Sequence, residues 1–530
     1  MTELRLVPAA LAVWAASLVC VLVGPAAAAL VVLALAVGCA CWREWGQAVL
    51  VAGLGAAATV VATVRIRIAA AWDFAEPIVG TVSGQPKQLT TGSWLTRITL
   101  PGHPSTLAVF STSLDDGIVP GAHVTCTGRL GESSMPGVNP YVLSGEVVLN
   151  APPTGYAAFA QHVRETFGAA VAHHVGPAST GLIPGMVLGD TTAQSAAEQQ
   201  MYIDTGLSHL SAVSGSNVAI VTTAAVVAAT LLRLGLRVRL LSAAVALLGF
   251  AGLVGPEPSV LRASVMGLVG LVAVCSSTRS EPIHALCLAT IGLLLVDTDL
   301  AAHYGFALSV AATVGIVAIS PLIHRALAMT GWPDIVNRAL AVAIAADVVT
   351  MPIVALMSGQ VSLVSVAANV LVAPVTAPVT VLGLAAAAAS LVPGGLETPL
   401  LTVIEPMTWW VHEVALRGSA LPLATIAATP VVVMVAYGWV LAGIVGKRPR
   451  LTAAATATAI AFASLRTPPP PPAPAYAEGL TVHVVATKAD VEPVPPGTEL
   501  VVVLEQGRPP RRPVRTQGGI DVIFPNRAGP

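Results

Sequence analysis

Long apolar runs broken by short polar interruptions dominate the chain, and their length, roughly 16 to 25 residues, suits helices crossing a hydrocarbon core of about 30 Å. Three come first, near 7–24, 27–41 and 47–64, with the charged break WREW (Trp42 to Trp45) between the second and third. From about 65 to 155 the period shortens to two. The pieces PIVGTVSG, LTRITLPG, LAVFSTS, AHVTCTGRL and YVLSGEVVLN, separated by Gly, Pro, Asn and Asp turns, predict short strands closing into a small barrel, for which the oligonucleotide-binding (OB) fold is one form. A partly helical, amphipathic lead-in covers 156–205. Further crossings are expected near 211–232, 240–255, 260–275, 283–296, 304–321, 339–357, 362–390, 398–416, 422–446 and 451–465. The run 362–390 is too long for one straight span and contains Pro374 and Pro378, which predicts a broken or re-entrant helix.

After 465 a proline-rich spacer, RTPPPPPAPAYAEG, leads to a tail with the strand-like pieces LTVHVVA, ELVVVLE and IDVIF and the basic patch RPPRRPVR. The spacer is expected to be extended, and the tail too short to bury a core of its own. The expected fold is a mainly α-helical polytopic membrane protein with a small extracytoplasmic OB-like β-barrel after the third helix. Its parts are 1–64 (three helices), 65–155 (barrel), 156–205 (lead-in), 206–465 (main membrane domain) and 466–530 (spacer and degenerate tail).

Composition excludes a soluble enzyme: 55% of the 530 residues are hydrophobic and 10% charged, with a mean hydropathy of +0.80. Only Arg5 precedes the first run, and a second follows at once, so no cleavable signal is expected. Lys and Arg gather in alternate loops, at Arg43, at Arg233, Arg237 and Arg239, at Arg279, at Arg325 and Arg338, and at Lys447, Arg448 and Arg450. The positive-inside rule then places the N-terminus in the cytoplasm of a multi-pass plasma-membrane protein, with barrel and tail outside. Net charge is −1, so an anionic partner must be met by local groups. Five of the six cysteines lie in apolar runs and Cys126 stands alone; neither a disulfide framework nor a metal site is expected, and no cofactor.

Three polar islands interrupt the membrane domain. The first is GLSHLSAVSGSNVAIV, residues 206–221. On a continuous helix Ser208, Ser211, Ala212, Gly215, Ala219 and Thr222 would share about a third of the circumference, with His209 and Ser216 at its edge and Asn217 pointing elsewhere. Such a face serves close helix packing, or else His209, Ser216 and Asn217 line a hydrated path, since polar groups at membrane depth border cavities or partners. The second is GPEPSVLRASVMG, 255–267, where Arg262 a turn into a crossing must snorkel, pair with Glu257 or Asp204, or meet a passing phosphate. The third, 345–378, holds Asp347, Gln360 and Asn369 beside Pro352, Gly359 and Pro374. There Asp347 is either a buried neutral acid or the border of a cavity with unwound backbone.

At these islands the sequence resembles the ComEC family of competence proteins, inner-membrane channels for DNA uptake. GLSHLSAVSGSNVAIV is similar to the family's HLLAVSGxHV, PSVLRASVMG to its PSxxRAxxM, and GQVSLVSVAANVLVAPVTAP to its GQxSxxxxxxNxxxxP. GMVLGDTT fits ahead of the first, and PGAHVTCTGRL resembles a strand of the family's OB-fold domain. The resemblance implies a channel passing single-stranded DNA to the cytoplasm, with the barrel meeting it first. It maps roles onto His209, Ser214, Gly215 and Asn217, onto Pro258, Ser259 and Arg262, and onto Gln360 and Asn369; apart from the resemblance, Gly206, Pro352 and Pro374 are expected to shape the backbone. Where the signature has a second histidine this chain has Asn217. Where many members open a metallo-β-lactamase-like nuclease domain with DVGQGD, it reads VHVVATKAD, and the tail holds one histidine, His483.

With no GxxxxGK[ST] phosphate loop either, the expected partners beside single-stranded DNA and membrane lipid are a DNA receptor outside, a separate nuclease and a cytoplasmic ATPase motor, and a homo-oligomer is open. Two other functions stay open: transport of another polar substrate, and an intramembrane serine protease using Ser214 of AVSG and His303 of AAHYGFA as nucleophile and base.

Overall fold

The computed structural model describes residues 4–89, 92–115, 117–211, 213–275 and 281–446, and beyond these 454, 458, 482–485, 500–503, 514–516 and 521–524. The chain forms two compact units, residues 1–88 with 94–454, and 89–93 with 455–530.

The first unit opens with α1 (Val7–Leu22), α2 (Pro25–Cys41) and α3 (Trp45–Ala70). Alanines and glycines line their contacts: Ala9, Ala12, Ala16, Ala28, Ala58 and Ala62 are fully or almost fully buried, and a Cβ on Gly55 would meet the Val32 methyls at 2.7 Å. Small residues let backbones approach where lipid removes the hydrophobic drive for helix association. α3 continues past its apolar run and takes Arg65 and Arg67 onto its last turns.

Next come β1 (Ile78–Val82), β2 (Lys87–Gln88), β3 (Trp94–Thr99), β4 (Thr106–Ser111), β5 (His123–Glu132) and β6 (Tyr141–Ala151). The five strands expected from the period-two pieces close in the order β1–β5–β6–β4–β3–β1, and β2 extends the edge of β3. β4 and β6 run parallel and the other pairs antiparallel, an OB-like Greek-key closure. Alternate residues fill it, including Ile78, Val82, Ile98, Leu107, Val109, Val124, Cys126, Leu143 and Val147. Burial pushes the Cys126 thiol up to about 11, so it packs as a small apolar group. At Gly128 and Gly145, which face each other across β5 and β6, any side chain would run into the opposing backbone.

The lead-in is α4 (Gly155–His174), α5 (Pro177–Thr180), α6 (Leu182–Leu188) and α7 (Ala196–Asp204). α4 buries Ala160, Val163, Arg164, Phe167 and Val171, the spacing of one helical stripe. Arg164, 6% exposed, donates to the Leu253 and Val254 carbonyls. The membrane domain follows as α8 (Gly215–Leu231), α9 (Leu236–Val254), α10 (Pro258–Cys275), α11 (Pro282–Val296), α12 (Tyr304–Val314), α13 (Ser320–Leu327), α14 (Asp334–Ser358), β7 (Gln360–Ser362), α15 (Ser365–Ala389), α16 (Thr398–Ser419), β8 (Thr425–Ala427) and α17 (Pro430–Val445). Arg164 thus caps the carboxyl end of α9, where free carbonyls and the helix dipole favour a cation.

Among the described residues seven helices are long and apolar enough to cross a membrane, five of them from this domain's 236–389 stretch, with Trp45–Ala70 and Ser208–Leu231. This is a multi-pass membrane protein. α12 and α13 form one crossing through a π-helical turn, Gly315–Ile319, at which Gly315 lies too close to the Ala345 carbonyl to carry a Cβ.

Three expectations are corrected. The run 362–390 is not broken: α15 passes through both prolines as one helix. Its 25 residues make about 37 Å, which a tilt accommodates. Neighbouring groups take up carbonyls near the prolines, with Trp410 Nε1 donating to the Leu371 carbonyl at 3.0 Å and Thr376 Oγ1 to Ala373 at 3.0 Å. The run 422–446 is helical only from Pro430, because β8 pairs with β7 ahead of it. The crossing expected near 211–232, with a helical face from Ser208, starts at Gly215, preceded by a 3-10 turn at Ser208–Leu210 and a β-region Ser214. Ser208 and Ser211 therefore do not share a helical face with Gly215, Ala219 and Thr222. Of the crossing expected over 451–465, only residues 454 and 458 are described.

In the second unit the expected strand pieces are β9 (Val482–Val485), β10 (Leu500–Val503) and β12 (Asp521–Ile523), joined by β11 (Val514–Arg515) in the order β11–β12–β10–β9. β10 runs parallel to both neighbours, and Val485, Val501, Val503, Val522 and Phe524 pack as a small core. Against expectation, then, the described part of the tail has a small core of its own.

The barrel is pinned to the membrane domain by one carboxylate. Asp299, on the turn Thr298–Ala302 between α11 and α12, accepts from the Ser105 hydroxyl and from the Val138 amide at 2.6 Å. Losing a partly buried hydrogen-bonded carboxylate costs about 1–3 kcal/mol. Asp299→Ala is expected to release the Val138 amide, read as at least ten-fold faster hydrogen exchange there with the barrel core still protected.

Candidate functional site

Two hydrogen-bonded clusters flank the 206–217 stretch. The first joins three elements far apart in sequence. Gly206 turns into the left-handed region at φ +69° and lies so close to Ser365 that a Cβ would collide with its hydroxyl. The Gly206 carbonyl accepts from His209 Nδ1 at 3.2 Å and from Asn369 Nδ2 at 3.4 Å. Asn369 also donates to the Ser365 carbonyl at 3.0 Å, and the Ser365 hydroxyl donates to Asp347 Oδ1 at 3.1 Å. Tyr437 closes the row by donating to Asp347 Oδ2 at 3.3 Å.

Asp347 is 6% exposed and Ser365 1%; both carboxylate oxygens are engaged by hydroxyl donors, which is what a buried acid needs. Of the two readings of Asp347, the structure gives the buried one, on an unbroken turn of α14 that also runs through Pro352. His209 is exposed at the end of this row.

The second cluster gathers around the start of α8. Asn217, 2% exposed, donates to the Met186 carbonyl at 2.8 Å and accepts from the Ser214 hydroxyl at 3.2 Å. Ser216 is exposed and touches Ser214 through its hydroxyl. Ser259, second residue of α10 after Pro258, donates to the Val213 carbonyl at 2.7 Å. The Arg262 guanidinium lies against Gly215, where a Cβ would sit 3.1 Å from Nη2. Arg262 is 8% exposed, its Nε has no hydrogen-bond partner, and no ion pair with Glu257 or Asp204 forms among the described residues. It neither snorkels nor pairs.

The islands are thus brought together in part. His209 and Gly206 join Asp347 and Asn369; Ser214, Gly215 and Asn217 join Ser259 and Arg262. Gln360 stands apart, exposed at the start of β7 with its backbone paired to Ala427, and Pro374 is exposed within α15. Ser214 and His303 do not make a dyad: the serine hydroxyl is engaged by Ser216 and Asn217, and His303 Nδ1 accepts from Gly305 at the start of α12. Sequence reasoning missed Ser365, Tyr437 and the Met186 carbonyl. Ser365 was within reach, since it lies four residues before Asn369 and so shares its helix face; nothing in the sequence marks Tyr437.

The family model described as Competence protein matches residues 186–450, the span that holds all these groups except the barrel contacts. ComE operon protein 3 of Bacillus subtilis (strain 168) is 31% identical over 202 residues, which make up 37% of this chain and 25% of that relative. The chain's match thus spans about a quarter of that curated relative's length. No solved structure matches.

The exposure pattern makes a direct test. In a background with Cys41 and Cys275, the exposed native cysteines, replaced by serine, cysteines introduced at 209 and 216 are expected to react with a charged thiol reagent and one at 217 to stay unmodified. Protection of all three would remove the reading of 209 and 216 as water-facing positions. Gly206→Ala, which forces apart the contact with Ser365, is expected to destabilise the protein by about 1–3 kcal/mol, checked by thermal unfolding in detergent.

Proposed function

Because the chain belongs to the Competence protein family, we propose that it is a plasma-membrane channel that takes part in DNA uptake by passing single-stranded DNA into the cytoplasm, and that it acts as a conduit rather than an enzyme. The observation that carries this reading is the hydrogen-bonded polar row Gly206, Asn369, Ser365 and Asp347, buried at Ser365 and Asp347 and ending at the exposed His209, assembled within the family-matched span. Polar side chains at bilayer depth are retained where they border water or a polar substrate. His209, Ser214, Gly215, Ser216, Asn217 and Arg262 are the residues assigned to the path, with Asp347, Asn369 and Ser365 holding its wall and Gln360 at its mouth.

The N-terminus is assigned to the cytoplasm, and the barrel and tail to the outside. The assignment rests on the gathering of Lys and Arg in alternate loops. Single strands are weakly held in such a path, since transit requires that binding be easily reversed. A DNA receptor outside, a nuclease that supplies single strands and a cytoplasmic ATPase motor complete the assignment.

Deleting the gene in a naturally competent host is expected to reduce entry of labelled DNA into the cytoplasm to background while surface-bound DNA stays at the parental level, with restoration by the wild-type gene. Unchanged entry would remove DNA as the substrate.

A further inference from the structure

We propose that the amino end of α8 and the guanidinium of Arg262 together form an oxyanion site, which holds one phosphodiester group of a passing strand at a time; the identity of the strand rests on the function proposed above, the site does not. Two independent observations converge on it. The first is at the helix. Ser214 occupies the N-cap of the 17-residue α8 but makes no cap bond with its side chain; its hydroxyl is turned to Asn217 and Ser216 instead. The Asn217 amide bonds the Ser214 carbonyl at 3.0 Å, whereas the amides of Gly215 and Ser216 have no partner among the described residues. Free amides at the positive end of a helix macrodipole form a ready anion site.

The second is Arg262. It is 8% exposed with Nε unpartnered, and it makes no ion pair among the described residues. Leaving a charge buried and unpaired costs several kcal/mol, and a guanidinium presents a planar fork matched to two oxygens of a phosphate. Nη2 stands 3.1 Å from where a Gly215 Cβ would be, which sets the guanidinium beside the first residue of α8 and its free amide. The neighbouring hydroxyls of Ser214 and Ser216 add donors that can rotate toward an oxygen. Gly215 is the residue that permits this closeness. Arg262 is itself held on α10 by the Ser259 bond to the Val213 carbonyl, which ties the starts of α10 and α8 together.

The test uses the full chain in nanodiscs of zwitterionic lipid. For a labelled single-stranded oligonucleotide, Arg262→Gln is expected to weaken binding about ten-fold and to flatten the log–log salt dependence by about 0.7, the value for one phosphate contact on a single strand. Gly215→Ala, which pushes the guanidinium aside without removing its charge, is expected to lose most of the same affinity, and Arg262→Lys to keep a part of it. Inorganic phosphate is expected to raise the melting temperature of the wild type and not of Arg262→Gln. Without any anion Arg262→Gln is expected to melt higher than the wild type, since an unpaired buried charge has gone; an arginine with a purely structural role gives the reverse.

An unchanged salt slope and affinity in both Arg262→Gln and Gly215→Ala would overturn the site while leaving the channel reading intact. Phosphate protection that depends on Arg262, in a protein that binds no oligonucleotide, would uphold the site and sink the strand. Loss of that protection when phosphatidylglycerol is added to the nanodiscs would uphold the site and identify a lipid headgroup as the source of the oxyanion. Should Arg262→Gln fail to give a monodisperse protein, Gly215→Ala decides between these outcomes by the same readings.

Discussion

Hydrocarbon offers no hydrogen bonds, so every polar group drawn into the membrane domain has to find its partner inside the protein. That constraint organises the structure around the 206–217 stretch. The Gly206 carbonyl takes two side-chain donors, Asn217 reaches the Met186 carbonyl, Ser259 takes the Val213 carbonyl and Asp347 is met by two hydroxyls. Each bond is modest, roughly 0.5–1.5 kcal/mol net, but an unmade one is expensive, which is why elements separated by 163 residues are locked together at Gly206 and Asn369. Arg262 is an exception to the rule, as are the hydroxyls of Ser264, Thr298 and Ser362, but it is a buried cation, and an exception of that size is informative because folding alone gives no reason to keep it.

Much of the architecture was legible because it follows from periodicity. Five alternating pieces became the five closing strands, and the long apolar runs became helices. Where the reading failed, a local signal had been outweighed by an assumption of continuity. The small-residue wheel over 208–222 presumed one helix, yet Ser214 ahead of an apolar run is an N-cap signal, and the chain does start its helix one residue later. The prolines of α15 were read as breakers, yet Trp410 and the threonines take up nearby carbonyls. Donors supplied by another helix leave no trace in the sequence around the proline itself.

The candidate site was legible in residue type more than in arrangement. His209, Asn217, Arg262, Asp347 and Asn369 could be picked out as polar groups in apolar surroundings, but the sequence could not divide them into two clusters or pair Asp347 with Tyr437. Asp299 and Arg164 escaped for another reason: charged residues near loop ends are ordinary, and only the fold shows that one pins the barrel and the other caps α9.

The π-helical turn at Gly315–Ile319 amounts to one surplus residue stored within a crossing. Deleting a single residue there would let the ladder relax into a regular helix and leave the residues beyond it on nearly the same face. Ile323 and Leu327 would then keep the pocket they share with Ala341 and Ala345. A deletion in a regular stretch of the same crossing would instead turn that face by about 100°, so this crossing tolerates the loss of a residue at one place along its length.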